Sequence, residues 1–502
     1  MNIPQAATQA ENAAAIFKAA QDFHQQGKTH EALKKYIEVL EIQADHFDAL
    51  QLSGNILFQL GFKAEALNVY DLAIKARPGD AGIHIDRGCL LADLGRQEEA
   101  MACFGRALEL KPDDAIAQFN RGNLLRASGR LEEAARSFQL VIALNPDFAL
   151  AHNNLGSILK DLDRHDEALS CYQRALEIAP DFFEVRLNLA IAYLQVGDFE
   201  RGWEYYDARW QTQGSGKIEA EFERPLWLGD QPLNGKTILL HAEQGLGDTL
   251  QFCRYVQKVK ELGAAVILCV HKPLIALLSH LQGVDVLIEK GSELPAHDYQ
   301  CPLMSLPRAF RTRLDSIPSA ASYIVTDKSK VPFWRKKIDA GLSLKVGLAW
   351  SGSPKNEEDQ RRSIAFAEFS QMLPQAAACV VLQNQVRTAD LDLLAAWPEI
   401  RYFGDELDLS AAAVVCEQMD VIVTVDTSIA HLAGALGKPV FVLLPYSADW
   451  RWLKDRSDSP WYPSATLFRQ HRLGDWSEVV RRVRLELEQL ARLKNPAASS
   501  KA

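Results

Sequence analysis

No stretch of this 502-residue chain stays apolar for long. The longest runs, such as Ala264 to Val270 and Ala376 to Leu382, fall far short of the ~18 residues that a membrane span needs, so no transmembrane segment is expected. Net positive charge is lacking too: 55 Lys+Arg stand against 65 Asp+Glu, a formal −10. That balance speaks against nucleic acid held by bulk electrostatics and leaves room only for local basic pockets. There is no C-x-x-C, and the eight cysteines are scattered through apolar segments without clustering with histidine. Neither a disulfide framework nor a structural zinc is expected, and the thiols should be reduced and buried. The N-terminus, MNIPQAATQAENAAAIF, lacks a basic segment leading into an apolar one, so no secretory signal is read and a cytoplasmic location is expected. What is present is 48% hydrophobic content over a length that predicts about three domains, each with its own core.

The first part of the chain repeats itself every 34 residues. Gly54, Gly88, Gly122 and Gly156 form one column, and Ala32, Ala66, Ala100, Ala134 and Ala168 a second. Tyr36, Tyr70, Phe104, Phe138 and Tyr172 form a third, and Pro78, Pro112, Pro146 and Pro180 a fourth. Small residues let two helices approach, the aromatic fills their groove, and proline stops the second helix. The pattern resembles the tetratricopeptide repeat, with five repeats over 13 to 182 and a sixth from Phe183. That last repeat departs from the pattern at Gly202 and Arg209, as expected of a unit that caps the solenoid and docks the next domain. Asp86, Asn120, Asn154 and Asn188 recur at one position of successive repeats. An amide both donates and accepts, so such a ladder suits an extended peptide backbone; it also suits bonds between neighbouring repeats. It is similar to the asparagine ladder of the O-GlcNAc transferases, which implies acceptor binding by Asn120, Asn154 and Asn188.

From Thr237 the period vanishes, and short Val/Ile/Leu runs alternate with helical patterns, the mark of parallel α/β sheets. TILLHAEQ, AAVILCVH and VDVLIEK read as strands of one doubly wound unit, and LKVGLAW, CVVLQN, VIVTVD and PVFVLLP as strands of another. Two such units leave a cleft faced by strand carboxyl ends and helix N-termini, where anions are favoured.

Three strand ends carry candidate chemistry. Gly245-Leu246-Gly247-Asp248 follows the first strand; it lacks the third glycine of a dinucleotide fingerprint, and Asp248 reads either as a helix cap or as a general base. Asp426-Thr427-Ser428 opens a helix whose free N–H groups and dipole suit a diphosphate, with His431 one turn in, either a ligand contact or a packed helix residue. Trp350-Ser351-Gly352, followed by Arg361 and Arg362, offers small polar groups and planar guanidinium forks, or simply surface arginines. The Asp-x-Asp pairs, Asp161/Asp163 and Asp390/Asp392, do not end strands, so no metal site is expected. The segment DWRWLKDRSDSPWYP, 449 to 463, reads equally as a lid or as domain packing.

Residues from about 225 to 490, with GxGD after the first strand and DTSxxHLAGALGKP near the end, resemble the heptosyltransferase-type glycosyltransferases of GT-B architecture. A repeat solenoid in front resembles bacterial proteins in which such a solenoid is fused to that transferase. The resemblance implies Asp248 as base on an acceptor hydroxyl and Asp426 with Thr427 at the donor sugar and diphosphate. It also implies a basic residue at Arg361 or Arg362, and Gln383 and Asn384 facing the nucleotide. With these come Gly245, Gly247, Ser351, Gly352, Ser428 and His431 as donor-side residues. Ser428 stands where the lipopolysaccharide enzymes carry glycine, and arginine where they carry lysine, so the donor does not transfer.

The expected architecture is α + α/β: a tail over 1–12, a repeat solenoid over 13–212, a linker over 213–235, Rossmann-like domains over 236–343 and 344–494, and a disordered tail over 495–502. The expected function is transfer of a sugar from a nucleotide diphosphate donor, as co-substrate and without cofactor or metal, to a protein or peptide side-chain hydroxyl in the solenoid groove. Two rivals stand beside it: a heptosyltransferase acting on a saccharide or lipid-saccharide, with repeats for assembly, and a scaffold whose transferase half is degenerate.

Overall fold

The computed structural model describes residues 3–212, 224–338, 341, 344–353, 359–374 and 377–494. It divides into two compact units, Met1–Pro180 and Asp181–Ala502.

The first unit is a row of antiparallel helix pairs from Ile3–Gln25 to His165–Ile178. The columns of the sequence do the work assigned to them. Tyr36, Tyr70, Phe104, Phe138 and Tyr172 are all buried, and each later ring lies against the glycine of its own repeat. A Cβ on Gly88 would stand 2.6 Å from the Phe104 ring. The residue before each column proline, Arg77, Lys111, Asn145 and Ala179, leaves the helix with φ between −131° and −144°, as a following proline requires. The hairpin turns need positive φ, and Gly27, Gly61, Gly95 and Gly129 supply it. In the next repeat Asp163 takes that place at φ 63°, its carboxylate 2.9 Å from His165 Nε2. The first helix starts at Ile3, so the stretch expected as a tail over 1–12 is largely helical.

The second unit begins with the sixth repeat, helices Phe183–Gln195 and Phe199–Tyr206 and a 3-10 turn Asp207–Trp210. The boundary between compact units thus falls near 180, ahead of the expected solenoid end at 212. The reason is that this repeat packs on the α/β part of the chain. Trp203 Nε1 donates to the Thr312 carbonyl at 3.0 Å, and Gln195 Nε2 to the Ala448 carbonyl at 2.9 Å. Arg209, the residue that breaks the repeat pattern, is 2% exposed. Its guanidinium bonds Asp207, Glu243 and Ser305 while lying over the rings of Tyr206 and Trp210.

The rest of the second unit is built on two parallel sheets. The first has strands β1 (Thr237–His241), β2 (Ala265–Val270), β3 (Val286–Glu289) and β4 (Tyr299–Pro302) in the order β3-β2-β1-β4. The second has β5 (Leu344–Ala349), β6 (Ala377–Val381), β7 (Val421–Val425), β8 (Val440–Leu444) and β9 (Ala465–Arg469) in the order β6-β5-β7-β8-β9. Strands β5 to β8 are almost wholly buried, which is why they read as continuous apolar runs. Strands β4 and β9 were not expected: one is short and ends on proline, the other mixes apolar with polar residues. The described part of the expected linker is also packed, with Trp227 buried and Leu226 bridged to Gln300 of β4. Its remainder, and the tail over 495–502, lie outside the described residues. All eight cysteines are free, six of them buried. Among the described residues no helix is long and apolar enough to cross a membrane.

Removing Arg209 takes the cationic partner from the buried Glu243 carboxylate and one of two from Asp207, which keeps Arg308, the kind of change that costs about 3–5 kcal/mol. All ten tryptophans lie beyond residue 180, so their fluorescence reports the second unit alone. Arg209→Ala should therefore lower the denaturation midpoint followed by tryptophan emission, and an unchanged midpoint would mean the network contributes little.

Candidate active site

The carboxyl ends of the two sheets enclose a cleft of about 880 Å³. On the side of the first sheet it is lined by Gln244 to Asp248, Lys272 and Pro273. On the side of the second it is lined by Ser351 to Ser353, Arg362, Leu382 to Gln385, Leu407 to Leu409, Ala412, Asp426 to Ile429, His431, Asp449 and Arg451. All the residues expected around the donor and base therefore converge here, with the exception of Arg361. Arg361 is exposed and does not line the cleft, whereas Arg362, on the same short helix Asp359–Arg362, does. Successive residues of a helix point about 100° apart, and here one of two adjacent arginines lines the cleft while the other does not.

The geometry alters the roles of several residues. Gly247 is required by packing: a Cβ there would lie 2.7 Å from the His431 ring, so the glycine lets the Leu246–Phe252 helix approach the Ser428–Ala435 helix. At Gly352 a Cβ would meet the ends of the Asp359 and Arg362 side chains, which would have to shift to admit it. Asp359, buried and not foreseen, accepts from the Gly352 N–H at 2.9 Å and pairs with Arg362 and Arg387, and so ties these three residues together. Gln383 lines the cleft, but its amide is engaged by the chain itself. Its oxygen accepts from Trp350 and Ser351 N–H at 2.8 and 3.2 Å, and its nitrogen donates to Ser351 Oγ and the Gln385 carbonyl, both at 3.0 Å. It shapes the loop, while Asn384 and the apolar Leu382, Leu407, Leu409 and Ala412 form the wall beside it.

At the end of β7, Thr427 caps the Ser428–Ala435 helix, its hydroxyl accepting from the Ile429 N–H at 3.3 Å. The first turn of that helix faces the cleft, where its dipole favours negative charge. Asp426 sits at the same edge. Burial and the neighbouring Asp449 push its carboxyl up to about 6, against the pull of Trp452, Arg362 and Arg451. For Asp449, burial acts in the same upward direction, but Arg451 wins and holds the group below the usual carboxylate range. Burial, with Arg451 adding to it, drives the His431 imidazole down to about 3. It is a neutral ring bonded through Nδ1 to the Tyr462 hydroxyl at 2.8 Å and stacked on Trp452 at 5.5 Å. It is a packed residue with one edge on the cleft, and it carries no charge for a phosphate.

Asp248, in the first turn of the Leu246–Phe252 helix, has both expected features of a cap and a place in the cleft. One oxygen accepts from the Gly245 N–H at 2.8 Å, the other from Arg451 Nη2 at 2.6 Å. A carboxylate offers about four lone-pair sites, so two bonds leave it able to accept from a hydroxyl. Glu243, the next carboxylate along, is locked to Arg209 and to Trp210 Nε1. Asp449 and Arg451 were missed because they arrive on the irregular 449–463 segment. That segment is domain packing, with Trp450, Trp452, Trp461 and Tyr462 all buried. Of the Asp-x-Asp pairs, Asp163 occupies a repeat turn and Asp390 is buried, accepting from Trp350 Nε1 and the Phe366 N–H.

In the solenoid, Asn120 and Asn154 lie half-buried on helices Ala115–Ala127 and Ala149–Asp161, and Asn188 on Phe183–Gln195. Asn154 donates to Asn123 of the preceding repeat at 2.9 Å, and Asp86 accepts from Gln51 at 2.7 Å. Part of the ladder thus joins neighbouring repeats.

The raised carboxyl of Asp426 has a consequence for stability. A carboxyl that protonates more easily folded than unfolded gives a contribution that is full below about pH 4 and is lost as pH rises through about 6. Asp426→Asn should thus stabilise the protein at pH 7.5 by roughly 2 kcal/mol more than at pH 4.5, a change of one in pKa being worth 1.36 kcal/mol. Denaturation at the two pH values checks this, and an equal effect at both would mean that the ionised carboxylate is not the destabilising group.

The profile of glycosyltransferase family 9 (heptosyltransferase) matches residues 365–486, which takes in the second sheet's Gln383, Asp426 and Arg451 but neither Arg362 nor Asp248. Tetratricopeptide profiles match 17–81, 85–149, 149–182 and 171–204. Protein FlbA of Caulobacter vibrioides is 25% identical over 329 residues, 60% of this chain and 54% of FlbA, so the match spans about half the length of that relative. Among solved structures, MamA 41-end from Desulfovibrio magneticus RS-1 is 22% identical, covering 34% of this chain and 96% of that one, with a TM-score of 0.32. YrrB, a TPR protein with an unusual peptide-binding site, is 25% identical over 34% of this chain and 88% of its own, with a TM-score of 0.30. PilW, a type IV pilus biogenesis factor, is 19% identical over 42% and 97%, with a TM-score of 0.38. The chain thus carries an N-terminal solenoid of tetratricopeptide repeats and, behind it, a glycosyltransferase family 9 (heptosyltransferase) domain.

Proposed function

We propose that the protein transfers a sugar from a nucleotide diphosphate donor to a hydroxyl of a protein side chain brought by the repeats, with no metal required. The observation that carries this reading is the opposition, across one cleft, of Asp248 from the first sheet to Asp426, Thr427 and Arg362 from the second. In this reading the nucleoside rests on Leu382, Leu407, Leu409 and Ala412. The diphosphate takes the guanidinium of Arg362 and the first turn of the Ser428–Ala435 helix, which meet its charge as a cation otherwise would. Asp248 takes the proton of the acceptor hydroxyl as its oxygen attacks the anomeric carbon, the bond from that carbon to the diphosphate oxygen breaks, and the nucleoside diphosphate leaves. The base stands on the sheet facing the phosphate site, as attack from the side away from the leaving group demands.

The acceptor is the less constrained half. Asn120, Asn154 and Asn188 are proposed to hold an extended segment through amides that both donate and accept. The bonds Asn154 to Asn123 and Gln51 to Asp86 favour the alternative in which the ladder is structural and the repeats serve assembly, with a saccharide as acceptor.

Asp248→Asn is nearly isosteric, keeps an oxygen for the Gly245 N–H, and removes the base. It should bind donor as the wild type does and lose about 10²-fold or more in kcat, the scale of general-base loss. Steady-state kinetics with calorimetric donor binding checks this, and a folded variant that turns over normally would reduce Asp248 to a helix cap.

A further inference from the structure

We propose that Arg451 is a positioning residue of the transfer reaction, holding Asp248 in place across the cleft, and that the sixth repeat fixes Arg451 through Trp450. The inference rests on reading Asp248 as the base. Arg451 lies in the 3-10 turn Trp450–Trp452 with its side chain 10% exposed. Its Nη2 donates to Asp248 at 2.6 Å, and its Nη1 to both oxygens of Asp449 at 2.9 and 3.1 Å. One planar fork thus spans a carboxylate from each Rossmann-like domain, and a fork of fixed shape sets the distance between them. Without it Asp248 keeps, among the described residues, the Gly245 N–H as its anchor, which restrains one oxygen and not the other.

The guanidinium is itself held. It lies 4.5 Å from the Trp450 ring centre and 5.8 Å from that of Phe252. Trp450 stands edge-on to Trp203 at 5.4 Å and to Tyr206 at 5.7 Å, both on the last repeat helix. Gln195, on the other helix of that repeat, fixes the Ala448 carbonyl. Immediately after the turn, Leu453 is held at φ 55°, a conformation that persists only where the surrounding packing dictates it. The chain of contact therefore runs from the sixth repeat to Trp450, to Arg451 and to Asp248. The repeat that caps the solenoid is, on this view, a working part of the transferase.

The test uses the full chain with kcat, donor KM and nucleoside diphosphate affinity read in parallel, and folding checked by circular dichroism. Arg451→Gln should lower kcat by about 10²-fold, as small misplacements of reacting groups do, with donor KM and diphosphate affinity within about twofold. Arg451→Lys, which reaches one carboxylate but cannot fork to two, should recover part of that loss. Trp450→Leu should lower kcat in the same sense by a smaller factor. In an Asp248→Asn background, Arg451→Gln should have little further effect, because both act at one point. Undiminished kcat in Arg451→Gln while Asp248→Asn is impaired would overturn this inference alone. A tenfold loss of diphosphate affinity in both Arg451 variants would overturn it too, making Arg451 a phosphate contact. Normal turnover in Asp248→Asn would overturn the base and, with it, the role given to Arg451.

Discussion

The Trp450 indole, packed against Trp203 and Tyr206 on one side and under the Arg451 guanidinium on the other, is the contact on which the cleft depends. Two parallel sheets can face each other across a ligand site only if something fixes their separation. Here that is done by buried cations whose partners come from different layers. Arg209 ties the sixth repeat to the end of β1, and Arg451 ties the loop after β8 to the helix after β1. Arg254 bonds the Trp461 carbonyl at 2.6 Å and the Tyr323 hydroxyl at 2.9 Å, lying also over the Tyr462 ring. Each of these guanidinium groups bonds in its own plane to the layers it joins and so demands a defined position of them, although Arg451 Nε is buried with no partner among the described residues.

The same concentration of charge makes the cleft the least comfortable part of the second unit. Asp426 is raised to about 6 by burial and Asp449, and His431 is held neutral far below its ordinary range. Asp359 is almost wholly buried and carries two arginines. A chain selected only for stability would replace such groups with apolar ones. Their convergence on one cavity, beside a glycine at 247 whose Cβ would meet the His431 ring, is the pattern that functional sites show.

How much of this is legible in the sequence depends on how each feature is encoded. The repeats were legible because each column is repeated at one spacing, and the central strands because burial on both faces makes them continuous apolar runs. Strands β4 and β9 were not, being short or mixed at the sheet edges. The strand-end residues Asp248, Asp426, Thr427 and Ser351 line the cleft, since parallel sheets put their carboxyl ends together whatever the details. What escaped was everything set by side-chain partners distant in the chain. Nothing local separates Arg361 from Arg362, or tells that the Gln383 amide is spent on Trp350 and Ser351, or that Glu243 is bound to Arg209. Asp449 and Arg451 came from an irregular aromatic segment with no period to interpret, where even the choice between lid and packing was open. Arg209 was the exception: a large charged residue in a position normally small signalled a docking contact, and it is one.

Transfer of a sugar from a nucleotide diphosphate to a protein in this cleft can be followed by what it releases. The most direct measurement is release of nucleoside diphosphate from a panel of nucleotide sugars, in the presence of a chelator, with cell extract separated into protein and saccharide fractions and the mass of acceptor proteins followed in parallel. Release should depend on the protein fraction and be matched by a sugar-sized mass increase on one of its proteins. Release that depends only on the saccharide fraction, or no release with any donor, would contradict it.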